Sequence, residues 1–408
     1  MDVLYTRCAG LDVHQETVVA CVRLAKGRKV ERLTQTFGTT ARELCRLQEW
    51  LSSYKATHVA MEATGVYWKP VWHILEGHFA LVLGNPKQMR NVPGRKSDVS
   101  DASWIADLLA CGLIRGSFIP PVAIQELRDL TRTRTQMTRE RARQVQRIQK
   151  VLEDANVKLT AVLSDILGLS GRAILEAIIR GESNPARLAA LAHPRVKATP
   201  AQLAEALEGG VTQHHRFLLQ LHLGQYDALS HAIEALEAQI DKALEPFRRA
   251  CEHLSTIPGI DRTAAAKILA EIGADMATFP SVLHLRAWAC ICPRLDETAN
   301  KRKNTRTRKQ KWLKTALVQA AWSAVKKRDS YLYAQFVRLR ARRGQQKAIV
   351  AVASSILSAI YYMLREDQDY QDLGADFFQK QNAEQSARKL VRRLEHLGYQ
   401  VELRKAAA

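Results

Sequence analysis

The sequence predicts an α/β domain followed by a longer, mainly α-helical region. Two observations carry that expectation. Three β-rich runs, Arg7 to Val13, Thr17 to Leu24 and Lys29 to Phe37, follow one another across short turns near the start of the chain. Beyond Pro120-Pro121 strand signals fade and Ala, Leu, Glu, Lys and Arg dominate, residues that lose little on entering a helix.

After the strand meander, Arg42 to Ser53 reads as a helix, His58 to Glu62 as a strand and Tyr67 to Glu76 as a second helix. Phe79 to Leu83 is a further strand, and a helix from about Asp98 to Gly112 closes the segment. That element order is the order of an RNase H-type fold. Ile124 to Leu159 forms one long helical pattern with eight basic residues between Arg128 and Lys150. Leu219, His222, Tyr226, Leu229, Ile233, Leu236 and Ile240 then step alternately by three and four, a coiled-coil seam. The two long helices can pair within one chain or serve a dimer. Leu254 to Gly273 places Ile257-Pro258-Gly259-Ile260 between short helical patterns, the mark of a helix-hairpin-helix. Its turn and second helix would offer N–H groups to a phosphate, though a simple tight turn reads the same way.

The 408 residues carry 61 Lys and Arg against 41 Asp and Glu, a net charge of +20. A surplus of that size points to a polyanionic partner. It is concentrated: residues 251–350 carry +13, with their basic residues expected on helices, and residues 1–116 only +4, with their acids among strand-like runs. Lys301 to Lys314 holds eight basic residues and no acid; a solvated helical face is the alternative to a phosphate-binding run. Trp312, Trp322, Tyr331 and Tyr333 lie among basic residues, where they can stack on bases or fill a core. A hydrophobic content of 47% with 20 Gly and 12 Pro excludes a collagen-like or mostly disordered chain. No run of about eighteen apolar residues occurs, so no membrane span is expected. The N-terminal MDVLYTRCAG lacks the order of a secretory signal. Seven scattered cysteines suit free thiols in a reducing cytoplasm, and Cys290-x-Cys292 is the wrong spacing for a zinc knuckle.

Four carboxylates stand out. Asp12 falls at the end of the first strand and Glu62 at the end of the fourth, neighbours in an RNase H-type sheet. Asp98 and Asp101, three apart, project onto one face of the closing helix, whereas Asp107 faces away from Asp98. Acids so gathered would repel one another unless hard divalent cations held them. Each also has a plainer reading. Asp98 and Asp101 suit a first helical turn capped by Ser97, Asp12 a turn, Glu62 a solvated strand end. His14, beside Asp12, is either a proton-transfer group or an ordinary turn histidine.

The segments Gly10-Leu11-Asp12-Val13-His14, Met61-Glu62-Ala63-Thr64-Gly65-Val66-Tyr67-Trp68 and Arg95-Lys96-Ser97-Asp98-Val99-Ser100-Asp101-Ala102 closely resemble the DEDD motifs of a family of bacterial insertion-sequence transposases. That family is related to the Piv-type DNA invertases and includes the bridge-RNA-guided recombinases. The likeness continues through Ile257-Pro258-Gly259-Ile260, Cys292-Pro293, Lys301-Arg302-Lys303, Arg306-Thr307-Arg308-Lys309, Leu317 to Trp322 and Ala341-Arg342-Arg343-Gly344, and so spans nearly the whole chain.

The resemblance implies a RuvC-like DEDD catalytic domain (1–118), a coiled-coil linker (119–250), a C-terminal transposase domain (251–365) and a tail (366–408). It implies a site in which Asp12, Glu62, Asp98 and Asp101 bind Mg²⁺ or Mn²⁺ while a hydroxyl forms a covalent phosphate ester with DNA. The family's nucleophilic Ser lies five residues after a Pro; here the count from Pro293 lands on Thr298. Thr keeps the hydroxyl but adds a methyl group, and Asn300, Asn304-Thr305 and Gln310-Lys311 stand where small residues are common. Lys301, Arg302, Lys303, Arg306, Arg308, Lys309, Lys311 and Gly259 are the expected nucleic-acid contacts. The implied partners are DNA, a non-coding guide (bridge) RNA and further copies in a dimer or tetramer, with no membrane, in a bacterial cytoplasm at the nucleoid. Two other readings stay open: a non-catalytic nucleic-acid-binding descendant, and a metal-dependent junction nuclease using the acids alone.

Overall fold

A computed structural model describes residues 3–27, 29–63, 65–86, 89, 92, 100–292, 295–298, 301–304, 312–381 and 383–402. The chain divides into two compact units, Met1–Ile119 and Pro120–Ala408.

In the first unit the strands β1 (Arg7–Val13), β2 (Thr17–Lys26) and β3 (Lys29–Gly38) form an antiparallel meander. The helix α1 (Ala41–Ser53) leads to β4 (His58–Glu62), which pairs parallel with β1; α2 (Trp68–Leu75) then leads to β5 (Ala80–Gly84), parallel to β4. The sheet order is β3-β2-β1-β4-β5, a mixed sheet consistent with an RNase H-type fold. Alternation along the strands separates two faces. Leu11, Val13, Val18, Val59 and Met61 meet Leu44, Leu47 and Leu51 of α1 and Val71 and Leu75 of α2. Cys8 and Ala60, on the other face, meet Ile105, Leu108 and Leu109 of α3 (Asp101–Ala110).

The second unit is helical apart from one hairpin among the described residues. Its shaft is α4 (Val122–Asp154), later joined by α9 (Gln213–Ala243). They run antiparallel within the chain: Arg134 meets Glu237, Gln144 meets His222 at 3.1 Å, and Asp154 meets His215 at 3.1 Å. Leu219, Ile233 and Ile240 of the seam are buried, and His222, Tyr226, Leu229 and Leu236 are half-buried. Between the two long helices lie α5 (Leu159–Val162), α6 (Leu169–Arg180), α7 (Pro185–Ala189) and α8 (Pro200–Ala206). They close a core with Ile148, Leu152 and Leu219.

The first long helix ends earlier than its periodicity predicts. Asn156 takes a left-handed φ of 58°, and the Ala155 carbonyl accepts from Gly210 N–H at 2.9 Å. Ala155 and Leu159 nevertheless stay in the same core, so the apolar spacing runs on past the helix that began it.

The remaining helices are α10 (Arg248–Ser255), α11 (Arg262–Ile272), α12 (Val282–Trp288), α13 (Leu313–Ala324), α14 (Tyr331–Arg343), α15 (Gln345–Glu366), α16 (Phe377–Gln381) and α17 (Ala383–His396). Two short strands, β6 (Leu295–Thr298) and β7 (Lys301–Asn304), precede α13 and pair antiparallel. This corrects the expectation that the basic residues of this region lie on helices: Lys301, Arg302 and Lys303 are in a strand. By length and composition α15 could cross a membrane, although polar residues interrupt its apolar sequence. Its Val352, Ala353, Ile356, Leu357 and Ile360 are buried, as in the core helix of a helical unit.

One buried carboxylate ties α4 to α11. Glu271, 4% exposed, accepts two 2.8 Å hydrogen bonds from Arg132, and Arg128 donates to the Ala270 and Glu271 carbonyls at 2.9 and 2.8 Å. Removing one member of such a buried pair strands the other's charge. Glu271→Ala is therefore expected to lower the unfolding free energy by about 3 kcal/mol, with Glu271→Gln costing less. Urea denaturation followed by helical circular dichroism measures this, and an unchanged midpoint in Glu271→Ala would contradict it.

Candidate functional site

The site in the first unit is built on the absence of a side chain at Gly10. A Cβ there would lie 2.2 Å from the Ala102 carbonyl oxygen and 2.4 Å from the Ala106 nitrogen. Only glycine lets the backbones of β1 and α3 come so close. The helix runs opposite to the strand: Leu4 N–H donates to the Ala110 carbonyl, Cys8 Sγ to the Ala106 carbonyl, and Gly10 lies against Ala102. Four residues of helix and two of strand each advance about 6–7 Å, so the two elements stay in step. Continued to Asp12, that register brings the N-terminal end of α3, where Asp101 stands, to the end of β1.

Asp12 shares the α3 face of the sheet with Cys8 and Gly10, and Glu62 shares it with Ala60. The parallel pairing of Leu11 with Met61 makes Asp12 and Glu62 neighbours at the strand ends. Asp12, 20% exposed, accepts from or shares a proton with His14 Nε2 at 3.1 Å. His14 is itself mostly exposed, and its N–H closes the β1–β2 turn on Thr17. Asp12 and Glu62 thus lie at the ends of neighbouring strands on the sheet face that α3 covers, and Asp101 is the first residue of α3. Asp98 lies outside the described residues.

The start of α3 differs from the sequence expectation. Its cap is Ser100, not Ser97, and the Ser100 hydroxyl accepts from Ser103 N–H at 3.3 Å with an extended backbone (ψ 150°). Asp101 is the first helical residue. Asp107 has a role that the sequence did not reveal. It accepts from Arg23 Nε at 2.8 Å and from Arg32 Nη2 at 3.0 and 3.1 Å, pinning α3 across β2 and β3. The signal was available only as two arginines on adjacent strands, opposed in register.

Carboxylate oxygens on one face suit a hard divalent cation. Cys8, on the same face, offers no competing thiolate: burial pushes its thiol up to about 12. Among the described residues no three His, Cys, Asp or Glu side chains close on one point. The donor chemistry fits Mg²⁺ or Mn²⁺, with Asp98 the undescribed fourth acid.

In the second unit Thr298 ends β6 and pairs in register with Lys301 of β7, with Ala299-Asn300 between them outside the described residues. Arg306, Arg308, Lys309 and Lys311 also lie outside them. Gly259 sits in the turn joining α10 to α11 with φ 85°, and a Cβ would meet Ala324 N at 2.4 Å and Ala320 O at 2.6 Å. Glycine here lets the turn pack on α13, whatever else the turn does. A cleft of about 700 Å³ opens beside that turn, bounded by Asp261, Lys267, Gln319 and Lys327. Of the aromatic candidates, Tyr331 stacks on Phe378 and Trp322 packs edgewise on Phe336. Trp312 lies under Arg132 and Arg139, 5.2 and 5.7 Å from its ring.

Comparison with known families decides the wider identity. Residues 9–157 match a DEDD-type family described as "Transposase", and residues 251–337 match the "Transposase IS116/IS110/IS902 family". The chain belongs to the IS110 family of transposases. No curated protein matches it. An IS110-family transposase is a DNA-binding enzyme of insertion-sequence transposition. Its first match covers the face that carries Asp12, Glu62 and Asp101; the second covers the α10–α11 turn and the β6–β7 hairpin.

Gly10→Ala is expected to push α3 off β1 and cut DNA cleavage about a hundredfold, the cost of misplacing a catalytic group by about 1 Å. Gly224→Ala, on α9 with open space around it, is the control. Equal activity of the two variants would show that the close approach is not needed.

Proposed function

We propose that this transposase cleaves and rejoins DNA at a composite site: RuvC-like acids in the first unit and the Thr298 hydroxyl in the second. The observation that supports this reading is that Asp12 and Glu62 end neighbouring strands on the sheet face covered by α3, a helix that begins at Asp101 and is held by Gly10 and Asp107. Asp12, Glu62, Asp98 and Asp101 would hold Mg²⁺ or Mn²⁺, which when bound would supply charge neutralisation for phosphoryl transfer. His14 orients the Asp12 carboxylate. The Thr298 oxygen bonds to phosphorus, one P–O bond to a DNA sugar breaks, and the threonine's proton passes to the leaving oxygen. Lys301, Arg302, Lys303, Arg306, Arg308, Lys309 and Lys311 hold phosphates beside it, with Gly259 in the helix-hairpin-helix turn. Target choice is delegated to a bound non-coding RNA, as the resemblance to the bridge-RNA-guided recombinases implies, with base pairing reading the sequence. A dimer or tetramer completes the site at the bacterial nucleoid.

Asp12→Asn keeps the side-chain volume and removes a charge. It is expected to lower metal-dependent cleavage at least about a hundredfold, the scale on which one electrostatic stabiliser acts, while leaving nucleic-acid binding intact. Full cleavage by Asp12→Asn would remove the acids from the mechanism.

Thr298 is tested by trapping the protein–DNA adduct. Thr298→Ala should abolish it, and Thr298→Ser should form it faster than the parent, because the γ-methyl no longer crowds in-line attack. An adduct that persists in Thr298→Ala would place the nucleophile elsewhere. Metal-dependent nicking with no adduct in parent or variants would favour the junction nuclease, and neither would favour a binding descendant.

A further inference from the structure

Between α4, α11 and α13 lies a second cavity, of about 170 Å³, bounded by Thr135, Arg139, Lys267, Trp312, Thr315 and Gln319. Its other charged wall residues, Arg132 and Glu271, neutralise each other through the bidentate pair described above. Lys267 and Arg139 have no carboxylate within ion-pair distance among the described residues. Lys267 projects from the middle of α11 and also bounds the cleft at the Gly259 turn and a third cavity beside Arg134 and Thr263. Burial and the neighbouring Arg134 and Arg139 hold its ammonium below the ordinary lysine range, with Asp261 only partly opposing them. The second unit thus keeps a half-buried cation beside other cations, an arrangement that costs stability until an anion arrives.

We infer that this cavity is a phosphate-binding site for a nucleic-acid backbone, with Lys267 and Arg139 as its cationic anchors. The available donors match a phosphodiester: the Lys267 ammonium, the Arg139 guanidinium, the Gln319 amide and the Trp312 indole N–H. The volume exceeds that of a phosphate group, leaving room for an attached sugar against Trp312 and the threonine methyl groups. The exposed side chains of Arg143, Arg147 and Lys150 continue along α4 from Arg139 at helical spacing, so a backbone leaving the cavity stays on a basic face. This site deepens the transposase reading and rests on it; its anchors are residues other than those of the basic run at 301–311.

The full chain is titrated with a short DNA duplex and, separately, a short RNA hairpin across a range of salt concentrations. Lys267→Met keeps the aliphatic stem and removes the charge. It is expected to lower the slope of log K against log salt by about 0.9 on a duplex, Arg139→Gln to do the same, and the pair to lose about twice as much. The nucleic acid on which the slope falls identifies the source of the phosphate. Lys267→Met should also raise the midpoint of thermal unfolding, since it removes a poorly solvated charge; a merely structural lysine would lower it. Binding by the parent with unchanged slopes in both variants, or a lowered midpoint in Lys267→Met, would overturn this site alone. A parent that binds neither probe would overturn the transposase reading and this site with it.

Discussion

The contact between Gly10 and the backbone of α3 is the constraint on which the candidate active site depends. A helix packed on a sheet through ordinary side chains keeps its axis about 10 Å away, with room to slide. Here Ala102 and Ala106 face a strand position with no side chain, and the backbones nearly touch. The Asp107 clasp to Arg23 and Arg32 then fixes the far end, and the Ser100 cap fixes where the helix begins. Three weak local features thereby locate one carboxylate, Asp101, relative to two others on the sheet.

The second unit solves a different problem, how to carry so much positive charge and remain folded. Residues 1–119 hold +4 and residues 120–408 the other +16. Part of that charge is structural. Arg128 and Arg132 are spent on Glu271 and its helix end, Arg134 on Glu237, and Arg172 on Glu176 and Asp227. What reads in sequence as one long basic helix is therefore two populations of arginine. Those near the start of α4 fasten helices together; Arg139, Arg143, Arg147 and Lys150 face solvent.

Much of this was legible in the sequence, and the misses share a cause. The five strands of the first unit and the two long helices follow from apolar periodicity, which burial enforces over many residues; whether those helices pair within one chain did not follow from it. The positions of Asp12, Glu62 and Asp101 in their elements were readable because strand ends and helix starts leave local marks. The end of α4 was misread because Ala155 and Leu159 remain buried after Asn156 breaks the helix, so periodicity reported the core and not the backbone. The strand at Lys301 to Asn304 was misread because a charge run carries no apolar period at all. Asp107, Glu271 and Lys267 depend on partners 75 or more residues away or on cavities, and no local pattern encodes those.

The separation of acids from cations has its own logic. Four carboxylates converging on a phosphodiester repel it, and even with cations bound they contribute little net attraction. Mixing lysines among them would neutralise the acids and weaken their hold on a metal. A protein that must hold DNA at such a site needs its attractive charge on a different surface. Here the acids sit in a unit of nearly balanced charge, while the helical unit carries the surplus. The basic unit can then supply the binding free energy that offsets repulsion at the acids. A half-buried Lys267 with no ion pair among the described residues fits that division: on the proposal above, its cost to folding is recovered when the polyanion is present.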